Sequence, residues 1–117
     1  MDPKRIETLR GAGVDVDGAL ERLMGSAALL ERLLGKFASD GSYAALRRAL
    51  ENRDADGAVA AAHTLKGMCG NLSMTELFSL FGRQVELLRA GDWEGAEALM
   101  ESIVPAYEQM IRAIEEV

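Results

Sequence analysis

The chain of 117 residues has one cysteine, Cys69, so no disulfide forms within it. A reducing, cytoplasmic setting is the natural expectation. It also has one histidine, and one His with one Cys is too little for a structural zinc site. Two Asp-x-Asp-Gly runs, at Asp15 and Asp54, lack the Gly at position six and the Glu at position twelve of a calcium loop. They read as caps and turns, and no metal site is expected. No Walker A pattern or Gly-rich kinase loop exists, so ATP is not expected to be used here. The formal charge is −6, with acidic residues spread along the chain. No basic stripe is present, which argues against nucleic acid and for solubility. No apolar run approaches the roughly 20 residues that span a bilayer. The start, Met1-Asp2-Pro3-Lys4-Arg5, is not followed by an apolar signal-peptide core. No membrane attachment is expected, and a monomer is the natural state.

Aromatics make up 5% of residues while 49% are hydrophobic, with Ala and Leu foremost. That balance favours helix over strand. Apolar positions recur at alternating three and four spacing, and no segment alternates with period two. Leu23, Ala27, Leu30, Leu34 and Phe37 form one stripe, continued by Leu46 and Leu50 after a break at Asp40-Gly41. From about Asp54 to Leu72, Ala58, Ala61, Ala62, Leu65, Cys69 and Leu72 share one side. From Met74 to Ala90 the seam is Leu77, Phe81, Gln84 and Leu88. The last stripe is Ala96, Leu99, Ile103, Ala106, Met110 and Ile114.

Punctuation agrees with these stripes. Asp54 is placed to N-cap the third segment after a break at Asn52-Arg53. Ser73, with Glu76 three residues later, has a capping-box pattern for the fourth. Gly91-Asp92 closes the fourth and caps the fifth. Pro105 should kink or interrupt the fifth. The runs opening at Asp54 and Asp92 echo one another, as two hairpins made by similar rules would. Residues 1–117 read as one domain, with 1–13 a loose lead-in holding at most a short helix. The expected fold is all-α: an up-down antiparallel four-helix bundle with a short extra N-terminal helix.

The one histidine, His63, lies in Ala61-Ala62-His63-Thr64-Leu65-Lys66-Gly67-Met68-Cys69-Gly70-Asn71-Leu72. At about 100° per residue, its face holds Asp56, Val59, Ala60, Lys66, Gly67 and Gly70. Leu65 and Cys69 point the other way, towards a core, so His63 is expected to be exposed. Gly67 and Gly70 each cost a helix roughly 0.5–1 kcal/mol relative to Ala. On the His63 face, bare backbone lets another protein come close. Lys66 is an ordinary solvated lysine by itself; beside a nucleophile its ammonium suits phosphoryl oxygens. A free imidazole is largely neutral near pH 7, so histidine can carry a group covalently without a dedicated base.

The run His63-Thr64-Leu65-Lys66-Gly67-x-x-x-Asn71-Leu72 resembles the signature of histidine-containing phosphotransfer (Hpt) domains. The upstream stretch from Gly13-Val14-Asp15 through Leu34 to Phe37 resembles that family's entry into its first long helix. The resemblance implies a helical bundle acting as a phosphorelay carrier, not an enzyme in its own right. His63 would take a phosphoryl group from the phospho-aspartate of a receiver domain and pass it to another receiver. The receiver would supply Mg²⁺ and most of the catalytic groups, and this chain needs no cofactor of its own. The receiver would dock on a mostly apolar patch that includes Val59, Ala60, Gly67 and Gly70. A polar residue of the following helix can hydrogen-bond near the histidine in similar domains. Gln84 is the candidate, with Val85 alternative for the matching place and a structural role for the glutamine equally open. Met68, Ser73 and Met74 depart from the small residue, Gly and Ala common in the family, which bears on partner choice. Thr64 after the histidine differs from the acidic residue of sensor-kinase dimerising helices. Two other readings stay open: a non-catalytic receiver-binding adaptor, and the phosphorylated domain of a chemotaxis-type kinase.

Overall fold

A computed structural model describes residues 1–116, and these are helical apart from short connections. Eight helices occur among them: α1 Pro3–Gly11, α2 Val16–Arg22, α3 Ala27–Ser39, α4 Ser42–Glu51, α5 Ala55–Asn71, α6 Thr75–Arg89, α7 Trp93–Ala98 and α8 Met100–Glu115. They make four arms. The first is α3 with α4, the second α5, the third α6 and the fourth α7 with α8. Each arm packs on the next, and α3 closes the ring on α8. Short connections at 52–54, 72–74 and 90–92 force successive arms to run antiparallel. The result measures 43 × 24 × 19 Å. Among the described residues no strand forms; a single antiparallel bridge joins Val14 to Met74.

Three of the helix starts obey one local rule. Asp15, Asp54 and Asp92 accept from the backbone N–H of Gly18, Gly57 and Gly95 at 3.1, 3.0 and 2.9 Å. At these three starts the carboxylate lies close over the bare Cα of the glycine, where a Cβ would stand 2.3–2.5 Å from it. Asp2, by contrast, caps α1 through the N–H of Arg5 at 2.8 Å, with a side chain at that place. The echo seen between Asp54 and Asp92 is thus a repeated cap, and Asp15 is its third copy.

The expected seams are buried: Ala58, Ala61, Ala62, Leu65, Cys69 and Leu72 inside the second arm, and Leu77, Phe81, Gln84 and Leu88 inside the third. Ala96, Ile103, Met110 and Ile114 complete the fourth, with Leu99 and Ala106 half-buried. Few aromatics suffice for one lock. Tyr43 stacks on Tyr107 at 3.7 Å, and Phe37 tilts against Tyr107 at 5.7 Å, joining the first arm to the fourth.

Four expectations need correction. Residues 1–13 are not loose. They include α1, whose Leu9 is fully buried. Arg5 grips Glu31 through Nε and Nη2 at 3.0 and 2.9 Å. It also donates to the carbonyls of Ala113, Glu116 and Ile114 at 2.7, 2.8 and 2.9 Å. The first stripe is not one helix from Leu23. Met24 and Gly25 have φ of +56° and +81° and end α2, and Ser26 caps α3 anew. Ser73 does not cap α6 through its hydroxyl. Its φ is +53°, ending α5, and its hydroxyl accepts from Arg22 at 2.7 Å. Pro105 does not interrupt the last helix, which runs through it. The break falls at Leu99 instead. The missing N–H leaves the Glu101 carbonyl without its helical donor, and both residues are exposed, so water can serve it.

Candidate functional site

α5 is seventeen residues long and built largely of alanine on its inner side. Small residues there let its neighbours on both sides approach closely, and the Asp54 cap fixes its start. With Leu65 and Cys69 buried, the helical turn leaves His63 outside. His63 is exposed, near the middle of α5. Its neighbour Thr64 donates to the Ala60 carbonyl at 3.0 Å, a local bond within the helix. Burial without a partner pushes the Cys69 thiol up to about 12 from an ordinary 9.0, so it is a packing group and no nucleophile.

The face expected around His63 is assembled as the turn requires. Ala60 and Gly67 are exposed, and Val59 and Lys66 half-buried. Around Gly67 a Cβ would meet nothing within 4 Å, so the backbone there is open to an approaching molecule. Gly70 differs. A Cβ there would lie 3.0 and 3.1 Å from two ring carbons of Phe78 on α6. Its bare backbone is therefore occupied from within the chain and is not an open part of a docking face.

Gln84 does not serve the histidine. It is fully buried, and its amide donates to the Ala96 carbonyl at 3.1 Å and to Met100 Sδ at 3.2 Å. It ties α6 to the fourth arm. The reason lies in the register. Gly70 faces Phe78, and Lys66 faces Gly82 four residues on along α6. One further turn brings the level of His63 to Val85 and Glu86, of which Val85 is buried. Gln84, beside them on the helix, points into the core.

Two residues of this surface are not evident from the seams. Phe78 is 41% exposed, and Lys66 Nζ lies 5.5 Å from its ring centroid. Gly82 leaves a gap that the stem of Lys66 crosses. The signal for Phe78 was an aromatic standing off the apolar stripe of its own helix. At the end of α5, Arg22 donates to the Gly70 carbonyl and to Ser73, and the Asp15 N–H donates to the Ser73 carbonyl at 2.9 Å. This anchors α2 beside the same edge. Among the described residues no group of three or more His, Cys, Asp or Glu is placed to hold a metal ion. None of the helices is long and apolar enough to cross a membrane.

A family model for the Hpt domain matches residues 28–117, which include His63, Lys66, Gly67, Phe78 and Gly82 and leave out α1 and α2. No match was found among curated proteins or among solved structures. An exposed lone histidine on a four-arm helical bundle, a lysine one turn on, and a family match over most of the chain agree, and the chain belongs to the Hpt domain family, whose members carry phosphoryl groups on histidine in phosphorelays.

Proposed function

We propose that this chain is a phosphohistidine carrier in which His63 accepts a phosphoryl group from the phospho-aspartate of a receiver domain and returns it to another receiver. The observation that carries this reading is the exposure of the only imidazole on an open face of α5, inside the region matched to the family. In the transfer, an imidazole nitrogen lone pair forms the N–P bond. The P–O bond of the acyl phosphate breaks, and its electrons stay on the receiver carboxylate. Positioning and charge stabilisation do most of the work in such a step. The receiver holds the Mg²⁺ and closes the site, while this chain supplies the nucleophile, the Lys66 ammonium and the backbone gap at Gly67. Lys66 acts as a point charge on the phosphoryl oxygens. Val59 and Ala60 lie on the side of the face towards the start of α5 and complete the docking patch.

The test is transfer from a phosphorylated receiver to the purified chain, with His63→Gln as control. Acid-labile, base-stable label on the wild type alone is the expected result. Binding of receivers without any label would favour a receiver-binding adaptor. Label on His63→Gln would place the chemistry on another residue.

A further inference from the structure

We propose that Phe78 is a positioning residue for Lys66, confining its stem in the seam between α5 and α6, one turn along from His63, so that less rotamer freedom is surrendered when a phosphoryl group arrives on the histidine. The proposal rests on the phosphohistidine reading and deepens it. Three contacts carry it. Lys66 Nζ stands 5.5 Å from the Phe78 centroid, within the range of a cation on an aromatic face. A Cβ at Gly82 would lie 3.4, 3.6 and 3.8 Å from Cε, Cδ and Nζ of Lys66, so the lysine stem crosses α6 where a side chain is missing. A Cβ at Gly70 would press on the Phe78 ring at 3.0 Å, so the ring needs that glycine for its seat.

These contacts matter because a surface lysine is otherwise free to sample many rotamers. Confining the stem before the phosphoryl group arrives removes part of that disorder in advance. The choice of an aromatic partner also matters. No carboxylate pairs with Lys66 among the described residues. A carboxylate would compete with phosphoryl oxygens for the ammonium. A ring holds it weakly enough for the stronger charge-assisted bond to take over. An exposed phenylalanine off the apolar seam of α6 thereby acquires a reason to be there.

The experiment uses the full chain and phosphoramidate as donor, so that receiver docking does not enter. His63 forms an N–P bond as the P–N bond of the donor breaks and ammonia leaves. Phe78→Leu is expected to accept the group about two- to fivefold more slowly, because the freed lysine must give up more rotamer freedom to reach the phosphoryl oxygens. Phe78→Tyr and Phe78→Trp should stay near the wild-type rate. Gly82→Leu, which lifts the lysine stem, should behave like Phe78→Leu, whereas Gly82→Ala makes only ordinary contact and should not. In a Lys66→Ala background Phe78→Leu should have no further effect. A readout without chemistry is the proton NMR of Lys66: its ε-methylene signals should be shifted upfield by the ring in the wild type and revert in Phe78→Leu. Wild-type rates for Phe78→Leu beside a slowed Lys66→Ala would overturn the proposal, as would unshifted ε-methylene signals. Failure of the wild type to take label on His63 would instead sink the carrier reading, and the NMR shift alone would then decide the lysine seat.

Discussion

At the scale of single residues, the same side chain does the same work wherever the local geometry repeats. Asp54→Ala removes the bond to Gly57 N–H and should cost about 1 kcal/mol, read as a lowered urea midpoint. Gly57→Ala should fall short of the roughly 1 kcal/mol that alanine brings to a helix, because the Asp54 carboxylate, 2.3 Å from the new Cβ, must turn aside. Two buried protons weaken the fold as the pH rises. Burial pushes the Cys69 thiol up to about 12 from 9.0. Burial, with Tyr43, Asp40 and Cys69 adding to it, pushes the Tyr107 phenol up to about 12 from 10.0. The folded chain keeps both protons at pH values where the unfolded chain releases them. Stability should therefore be full below about pH 9 and fall as the pH rises towards 12. Cys69→Ala should delay the onset to about pH 10, seen in melting temperature against pH. A melting temperature flat from pH 9 to 11 in the wild type would contradict this burial. His63, Leu65 and Cys69 were legible because helical turn alone decides which side each takes. Gln84 was legible as a seam residue but not in its partner, since the Ala96 carbonyl reaches it only through packing of the fourth arm.

The elements divide in the same way. Helix starts with an Asp-x-x-Gly cap can be read locally, and so can the seam of α5 and α6. Helix ends made by non-glycine residues are read only from the start that follows them: the breaks at Asn52-Arg53 and Ser73 were legible that way, and the one at Met24 was missed. Met24, Arg53 and Ser73 take positive φ, each at a cost of roughly 1–2 kcal/mol that the surrounding contacts must offset. Ser73 is held by Arg22 and Asp15, more than fifty residues away in sequence. A glycine is common there in the family because it takes that backbone shape freely. Gly67 makes the opposite point. Its φ is helical and its surroundings are open, so Gly67→Ala should stabilise α5 by about 0.5–1 kcal/mol. The same methyl would stand between His63 and a docking receiver. Transfer from a receiver should fall while acceptance from phosphoramidate holds, and equal loss with both donors would refute the docking role.

Across the whole molecule, the alternating stripes and short connections made the bundle legible, but the fastening of its ends was not. Arg5 reaches carbonyls more than a hundred residues away, and no local pattern announces such bonds. Its guanidinium is mostly buried and satisfies three carbonyls at the end of α8 as well as Glu31. Arg5→Ala should lower stability by about 2 kcal/mol and speed hydrogen exchange in the last turn of α8. Arg5→Lys should not restore it, because a point charge cannot match the planar fork. An unchanged urea midpoint in Arg5→Ala would show the grip to be dispensable. The grip also brings α1 and the end of α8 together at one pole. Joined there by a short linker, the chain would close into a ring, and a cut at the exposed Asp40-Gly41 would open it elsewhere. Such a circular permutant would begin at α4 and end at α3. Every helix would keep its neighbours and the His63 face would be intact, so the order in which the arms are written along the chain is separable from the surface they build.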